Sequence, residues 1–208
     1  MVFITLEEGI YLIGGNGNAH NNLHYNNVTI KIKKNLPHEK TFFSAVYLKG
    51  KIYTFGGYDA FEKVQLKGCE YYDVKLDRWY NSALTSPSGT CEFNLNQERS
   101  QSSCCVFEDD SIFVFGGYHR EIGTLDTIEK FDMAKRKIIK MDLVIPSPLR
   151  RSVSMKISTT KILIIGGLGE NSEELDAVFC FDLDKEYTIE QLDKIDRPGI
   201  IDAPILLD

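Results

Sequence analysis

The sequence predicts an all-β fold, a β-propeller made of four-stranded antiparallel sheets. Three observations predict it. An apolar phrase ending in a glycine doublet occurs four times: "IYLIGG" at 10–15, "IYTFGG" at 52–57, "IFVFGG" at 112–117 and "ILIIGG" at 162–167. Starts at 10, 52, 112 and 162 give intervals of 42, 60 and 50 residues, the period of an all-β repeat and too long for leucine-rich or ankyrin repeats. Each phrase is also flanked by further short apolar runs, so the repeating unit is about four strands.

The first strand of each unit precedes the phrase: "VFITL" (2–6), "FFSAVYL" (42–48), "SCCVF" (103–107) and "SVSMKI" (152–157). Short turns such as "KGK" and "EDDS" then make a hairpin with the phrase itself, the second strand. A polar stretch leads to the third strand: "NVTIKIK" (27–33), "CEYYDV" (69–74), "IEKFDM" (128–133) and "VFCFDL" (178–183). Three of these carry an aromatic followed by Asp, at Tyr72-Asp73, Phe131-Asp132 and Phe181-Asp182. The fourth strand is clearest around Trp79.

Strands such as "IYTF" are apolar on both faces, so both faces need cover. Small sheets achieve this by packing between copies of themselves, roughly 10 Å apart, and radial stacking of such sheets makes a propeller. The chain must then turn sharply beside a neighbouring sheet where the second strand ends. Glycine supplies positive φ there and has no Cβ to collide.

These features resemble the kelch repeat. The resemblance rests on the doublets Gly14-Gly15, Gly56-Gly57, Gly116-Gly117 and Gly166-Gly167, on an aromatic some fifteen positions later, and on a tryptophan seven beyond that. The second repeat is fullest, with Tyr72 and Trp79; the third has Phe131 and Ile138, the fourth Phe181 and Thr188, and the first only Ile30. A basic residue is expected about a dozen positions before each phrase, and Lys40, Arg99 and Arg150 fill it. The resemblance covers nearly the whole chain. It implies a propeller that serves as a platform for protein binding, with a cytoskeletal or ubiquitin-ligase-related partner. Some kelch-like propellers are oxidases, isomerases or metal-dependent specifier proteins, so a propeller enzyme with a site near the central channel is the alternative.

Bulk properties bound the function. The 208 residues are 43% hydrophobic and 26% charged, with net charge −6, as in a soluble globular protein and against a nucleic-acid partner. No apolar run approaches a membrane span, and "MVFITLEEG" turns acidic too soon for a signal peptide. The five cysteines (Cys69, Cys91, Cys104, Cys105, Cys180) are odd in number and lack C-x-x-C spacing, which fits free thiols in a cytoplasmic, reducing setting.

If the strands are labelled a to d, the b–c and d–a loops share one face. They are long and variable here, whereas the a–b turns are tight, and loops on a rigid scaffold carry recognition. The b–c segments are "NGNAHNNLHYNN" (16–27), "YDAFEKVQLKG" (58–68), "YHREIGTLDT" (118–127) and "LGENSEELDA" (168–177). The d–a segment after Trp79 is enlarged and contains "TSPSGTCEFNLNQERS" (85–100). The partner-binding candidates are Tyr58, Asp59, Phe61, Tyr118, His119, Arg120, Glu170 and Asn171, with Phe93 from the insertion. Phe93 and Leu95 either pack back onto the blade or anchor the partner.

Other chemistry finds little support. His20 and His24 have a metal-pair spacing, but they sit in an Asn/Gly loop without a third ligand. "GENSEELD" lacks calcium-loop spacing, Cys91 lacks a histidine partner, and no glycine-rich phosphate loop opens a helix. No catalytic residue, metal or cofactor is therefore expected. Arg150 is expected to order loops between blades rather than to hold, with Arg151, an acidic ligand. The blades are expected at 1–39, 40–98, 99–149 and 150–196. Residues 197–208, "RPGIIDAPILLD", read as the first strand of a further blade, so the chain is expected to be a segment of a larger propeller or one completed by another chain.

Overall fold

The computed structural model describes residues 2–7, 9–14, 22–25, 30–81, 94–184 and 187–196, with the backbone alone at 3, 22–25, 30–32 and 81. The described residues form strands and turns with no helix. The chain divides into two compact units, Met1–Ser100 and Gln101–Asp208. Residues 197–208, expected to open a further blade, lie outside the described residues.

The first unit holds two four-stranded antiparallel sheets. One contains β1 (Val2–Leu6), β2 (Gly9–Ile13), β3 (Asn22–Tyr25) and β4 (Ile30–Ile32) in sequence order. The other contains β5 (Ser44–Leu48), β6 (Lys51–Phe55), β9 (Cys69–Asp73) and β10 (Arg78–Asn81), again each beside the next. Between β6 and β9 a separate hairpin pairs β7 (Tyr58–Asp59) with β8 (Val64–Gln65). Ile4, Tyr11 and Ile13 of the first sheet pack on Ile52, Tyr72 and Trp79 of the second, with Leu36 and Phe43 from the connection.

The second unit repeats the plan. Its sheets are β11 (Ser103–Phe107), β12 (Ser111–Phe115), β15 (Thr127–Asp132) and β16 (Lys137–Val144), then β17 (Val153–Lys156), β18 (Lys161–Ile165), β19 (Val178–Asp182) and β20 (Thr188–Gln191). A hairpin of β13 (Tyr118–His119) and β14 (Gly123–Thr124) stands between β12 and β15. Every residue of β12 and of β19 is buried, because both faces of a strand such as "SIFVF" are apolar and both find cover. The shared core places Phe113 and Phe115 against Phe181 at ring separations of 5.2 and 5.7 Å, edge to face.

The aromatic-Asp pairs have a mechanical role at the turn from the third strand to the fourth. Asp73, Asp132 and Asp182 each accept a backbone N–H from that turn, from Leu76 at 2.9 Å, Lys135 at 2.9 Å and Asp184 at 3.0 Å. A side-chain oxygen closing its own turn is the usual use of Asp at such positions.

The register corrects three expectations. Ile52 pairs with Tyr72, Ile112 with Phe131 and Ile162 with Phe181, so the residue equivalent to these aromatics in the first repeat is the partner of Ile10, which is Tyr25. The third strand there is β3, inside the segment expected to be a loop, and "IKI" belongs to the fourth strand. Gly14 precedes Tyr25 by 11 positions against 15 or 16 elsewhere, so a shortened loop hid the alignment. The tryptophan position of the fourth repeat is Ile189, which pairs with Phe181, rather than Thr188; the preceding turn is one residue longer. The basic position is the third correction. Ser44, Ser103 and Val153 are equivalent by register, pairing with Phe55, Phe115 and Ile165. Four residues upstream stand Lys40, Arg99 and Leu149, all buried. The fourth repeat therefore has leucine at the basic position, and Arg150 lies one residue beyond it.

Candidate partner-binding loops

In the second and third repeats the glycine doublet locks the b–c hairpin to its blade. In the first unit, Gly57 N–H donates to Arg99 O (2.8 Å), Arg99 N–H to Leu66 O (3.1 Å) and Leu66 N–H back to Gly57 O (2.9 Å). The second unit repeats this ring with Gly117, Leu149 and Leu125 at 2.9, 3.1 and 2.8 Å. Three backbone segments meet at the foot of the hairpin, and no side chain fits between them. A Cβ on Gly56 would stand 2.3 Å from Arg99 O, and one on Gly116 2.2 Å from Leu149 O. Both glycines have φ near +60°, so shape and conformation demand the same residue.

The hairpins raise the candidate residues to different depths. Tyr58 and Asp59 are half-buried in β7, and Asp59 Oδ1 accepts the N–H groups of Phe61 (2.8 Å) and Glu62 (3.0 Å). That cap holds the tip, where Phe61 is 86% exposed. Tyr118 and His119 are half-buried in β13, and the tip carries exposed Arg120 and Ile122, the latter 59% exposed. Ile122 was not foreseen. Its signal was faint, a single apolar residue between Glu121 and Gly123. Phe93 lies outside the described residues, as do His20 and Cys91. Leu95 packs back onto its blade, 2% exposed, with its N–H on Lys67 O at 3.0 Å.

In the second unit Arg150 joins two of these loops. Its guanidinium lies 5.1 Å from the Tyr118 ring centroid, Nη1 donates to Gln101 Oε1 (2.8 Å) and Nη2 donates to Ser172 Oγ (2.7 Å). Arg151 Nε donates to the same Gln101 oxygen at 2.9 Å. Thr124 Oγ1 adds a bond to Gly169 O at 3.2 Å. The hairpin bearing Tyr118, His119 and Arg120 is thus tied to the turn bearing Glu170 and Asn171, both exposed. Tyr58, Asp59 and Phe61 share one hairpin of the other unit.

Burial pushes the Cys105 thiol up to about 11, which leaves it protonated and unreactive at neutral pH. Among the described residues no three His, Cys, Asp or Glu side chains converge as metal ligands, and no helix is long and apolar enough to cross a membrane.

The sequence pattern of the KLHDC2/KLHL20/DRC7 Kelch-repeats domain matches residues 1–194. The chain belongs to the kelch-repeat family. No curated protein matches it. The four sheets described above are kelch blades, and kelch domains are in general protein-interaction modules and typically not enzymes.

Proposed function

We propose that this kelch domain is a non-enzymatic scaffold or adaptor of the cytoplasm that holds a protein partner on the tips of its b–c hairpins. One observation carries the reading. Hairpins locked at the foot by backbone rings present large apolar side chains at the tip, Phe61 at 86% and Ile122 at 59% exposure. Rigid display of an apolar anchor costs little ordering entropy on binding. Tyr58 and Asp59 accompany Phe61 on the hairpin of the first unit; in the second, Tyr118, His119 and Arg120 accompany Ile122, with Glu170 and Asn171 on the turn tied to that hairpin. Partners of cytoskeletal or ubiquitin-ligase type are the classes favoured by the family. The blades are taken at approximately 1–39, 40–98, 99–149 and 150–196; the repeated register supports this division to within one residue, with Leu149 as the counterpart of Lys40 and Arg99.

The test is comparative capture of proteins from cell lysate, quantified by mass spectrometry. Phe61→Asp, and Arg120→Ala with Ile122→Asp, should each deplete a shared set of captured proteins. Truncating an anchor of this kind costs about 2 kcal/mol, or roughly thirty-fold in affinity. Asp109→Lys, in the exposed turn between β11 and β12, should leave the set unchanged. The reverse pattern would place the partner on the a–b turns instead.

A further inference from the structure

We propose that Ser172 is a phosphorylation site whose phosphate is received by Arg150. Ser172 is exposed at the tip of the 169–174 turn. Its Oγ already accepts a hydrogen bond from Arg150 Nη2 at 2.7 Å. The guanidinium is fixed from two other sides, by the Tyr118 ring and by Gln101 Oε1. Its Nε is enclosed, and among the described residues no acceptor reaches it. Nε and Nη2 form one edge of the guanidinium fork, the edge that receives two oxygens of a phosphate side by side. Ser172 Oγ occupies one end of that edge, and the other end is an unsatisfied buried donor.

The flanking chemistry names the kind of enzyme. Glu170, Glu173, Glu174 and Asp176 surround Ser172 in sequence, which suits a protein kinase with a basic substrate groove. Glu173 Oε2 is itself engaged by Asn171 N–H at 2.8 Å, so the carboxylate next to Ser172 in sequence is held within the turn. In the reaction, Ser172 Oγ bonds to the γ-phosphorus of ATP. The bond from that phosphorus to the ADP oxygen breaks, and the hydroxyl proton passes to the kinase's base. The product carries about −1.5 to −2 charge at pH 7. It tightens the Ser172 turn onto Arg150 and adds negative charge to a face already bearing Glu170 and Glu174.

The experiment treats the full folded chain with an acidic-directed serine kinase and ATP·Mg, and maps phosphate by mass spectrometry. A peptide of residues 166–178 serves as the unfolded reference. The expected result is one phosphate at Ser172 in both, absent from Ser172→Ala. The phosphorylated chain should melt about 2–4 °C higher than the unmodified one. In Arg150→Lys, which keeps the charge but loses the fork, at least half of that rise should vanish. Phosphate on the peptide but not on the folded chain would overturn the site. Modification without a melting shift, or a shift undiminished in Arg150→Lys, would overturn the role given to Arg150.

Discussion

Gly56 and Gly50 both have positive φ, +59° and +77°, yet they answer to different constraints. A Cβ on Gly50 meets nothing within 4 Å, whereas one on Gly56 strikes the Arg99 carbonyl at 2.3 Å. Gly50→Ala should therefore cost about 1 kcal/mol of left-handed strain. Gly56→Ala should cost roughly 3 kcal/mol or more, since the ring that includes Gly57 must open. Urea midpoints of the two variants check this, and equal losses would remove the steric account of the doublet. Lys40 poses the second residue-scale problem. Its buried ammonium bonds to Glu70 Oε2 and, at 3.1 Å, to Thr54 Oγ1. Glu70 and Thr54 face each other in register as Phe179 and Ile164 do in the fourth repeat, where Leu149 replaces the lysine. Lys40→Leu alone strands a buried carboxylate and should cost about 3–5 kcal/mol. The triple change Lys40→Leu, Thr54→Ile and Glu70→Phe copies the fourth repeat and should restore most of that, as read by denaturant unfolding.

The Tyr72–Trp79 pair shows at the scale of the element how a kelch blade grips its neighbour. Trp79 Nε1 donates to Lys34 O at 2.7 Å, Lys34 N–H donates to Asp77 Oδ1 at 3.2 Å, and the Tyr72 hydroxyl donates to the same carboxylate. The segment after β4 is thereby tied to β9 and β10. The Tyr72 hydrogen bond holds the Asp77 carboxyl below its ordinary value, while burial and then Asp77 push the Tyr72 phenol upward. A carboxyl with a lowered folded pKa stabilises above its unfolded value, about 3.9, and the stabilisation disappears as pH falls through the folded value. The melting difference between the native chain and Asp77→Asn should thus be constant from pH 5 to 8 and shrink below pH 4. A difference that persists at pH 3 would mean that the carboxylate's charge is not what holds the clamp. This arrangement also shows what was legible in the sequence. Tyr72 and Trp79 stand out because the second repeat keeps their spacing. Tyr25 did not, because the shortened loop before it moved it five positions from its place, and Ile189 was displaced by a single turn residue. Repeat spacing reveals strands only while loop lengths are constant. Backbone register is what remains when they vary.

For the whole molecule, a repeated apolar phrase was enough to specify blades, since each strand buried on both faces requires a neighbour. The recognition surface was less legible. Its candidate residues were marked by loop length, but depth was not. Tyr118 supports Arg150 through its ring, and Ile122 gives only a faint signal in the sequence because one apolar residue in a polar loop carries no periodicity. The partner claim is tested most directly by hydrogen exchange of the chain with and without the partner that capture returns. Exchange at 58–65 and 118–124 should slow in the complex, with 168–174 following through its tie to Arg150. The turns at 49–50, 108–110 and 157–160 should be unaffected. Protection confined to those turns, with the hairpins exchanging as in the free chain, would contradict the assignment of the partner to the b–c hairpins.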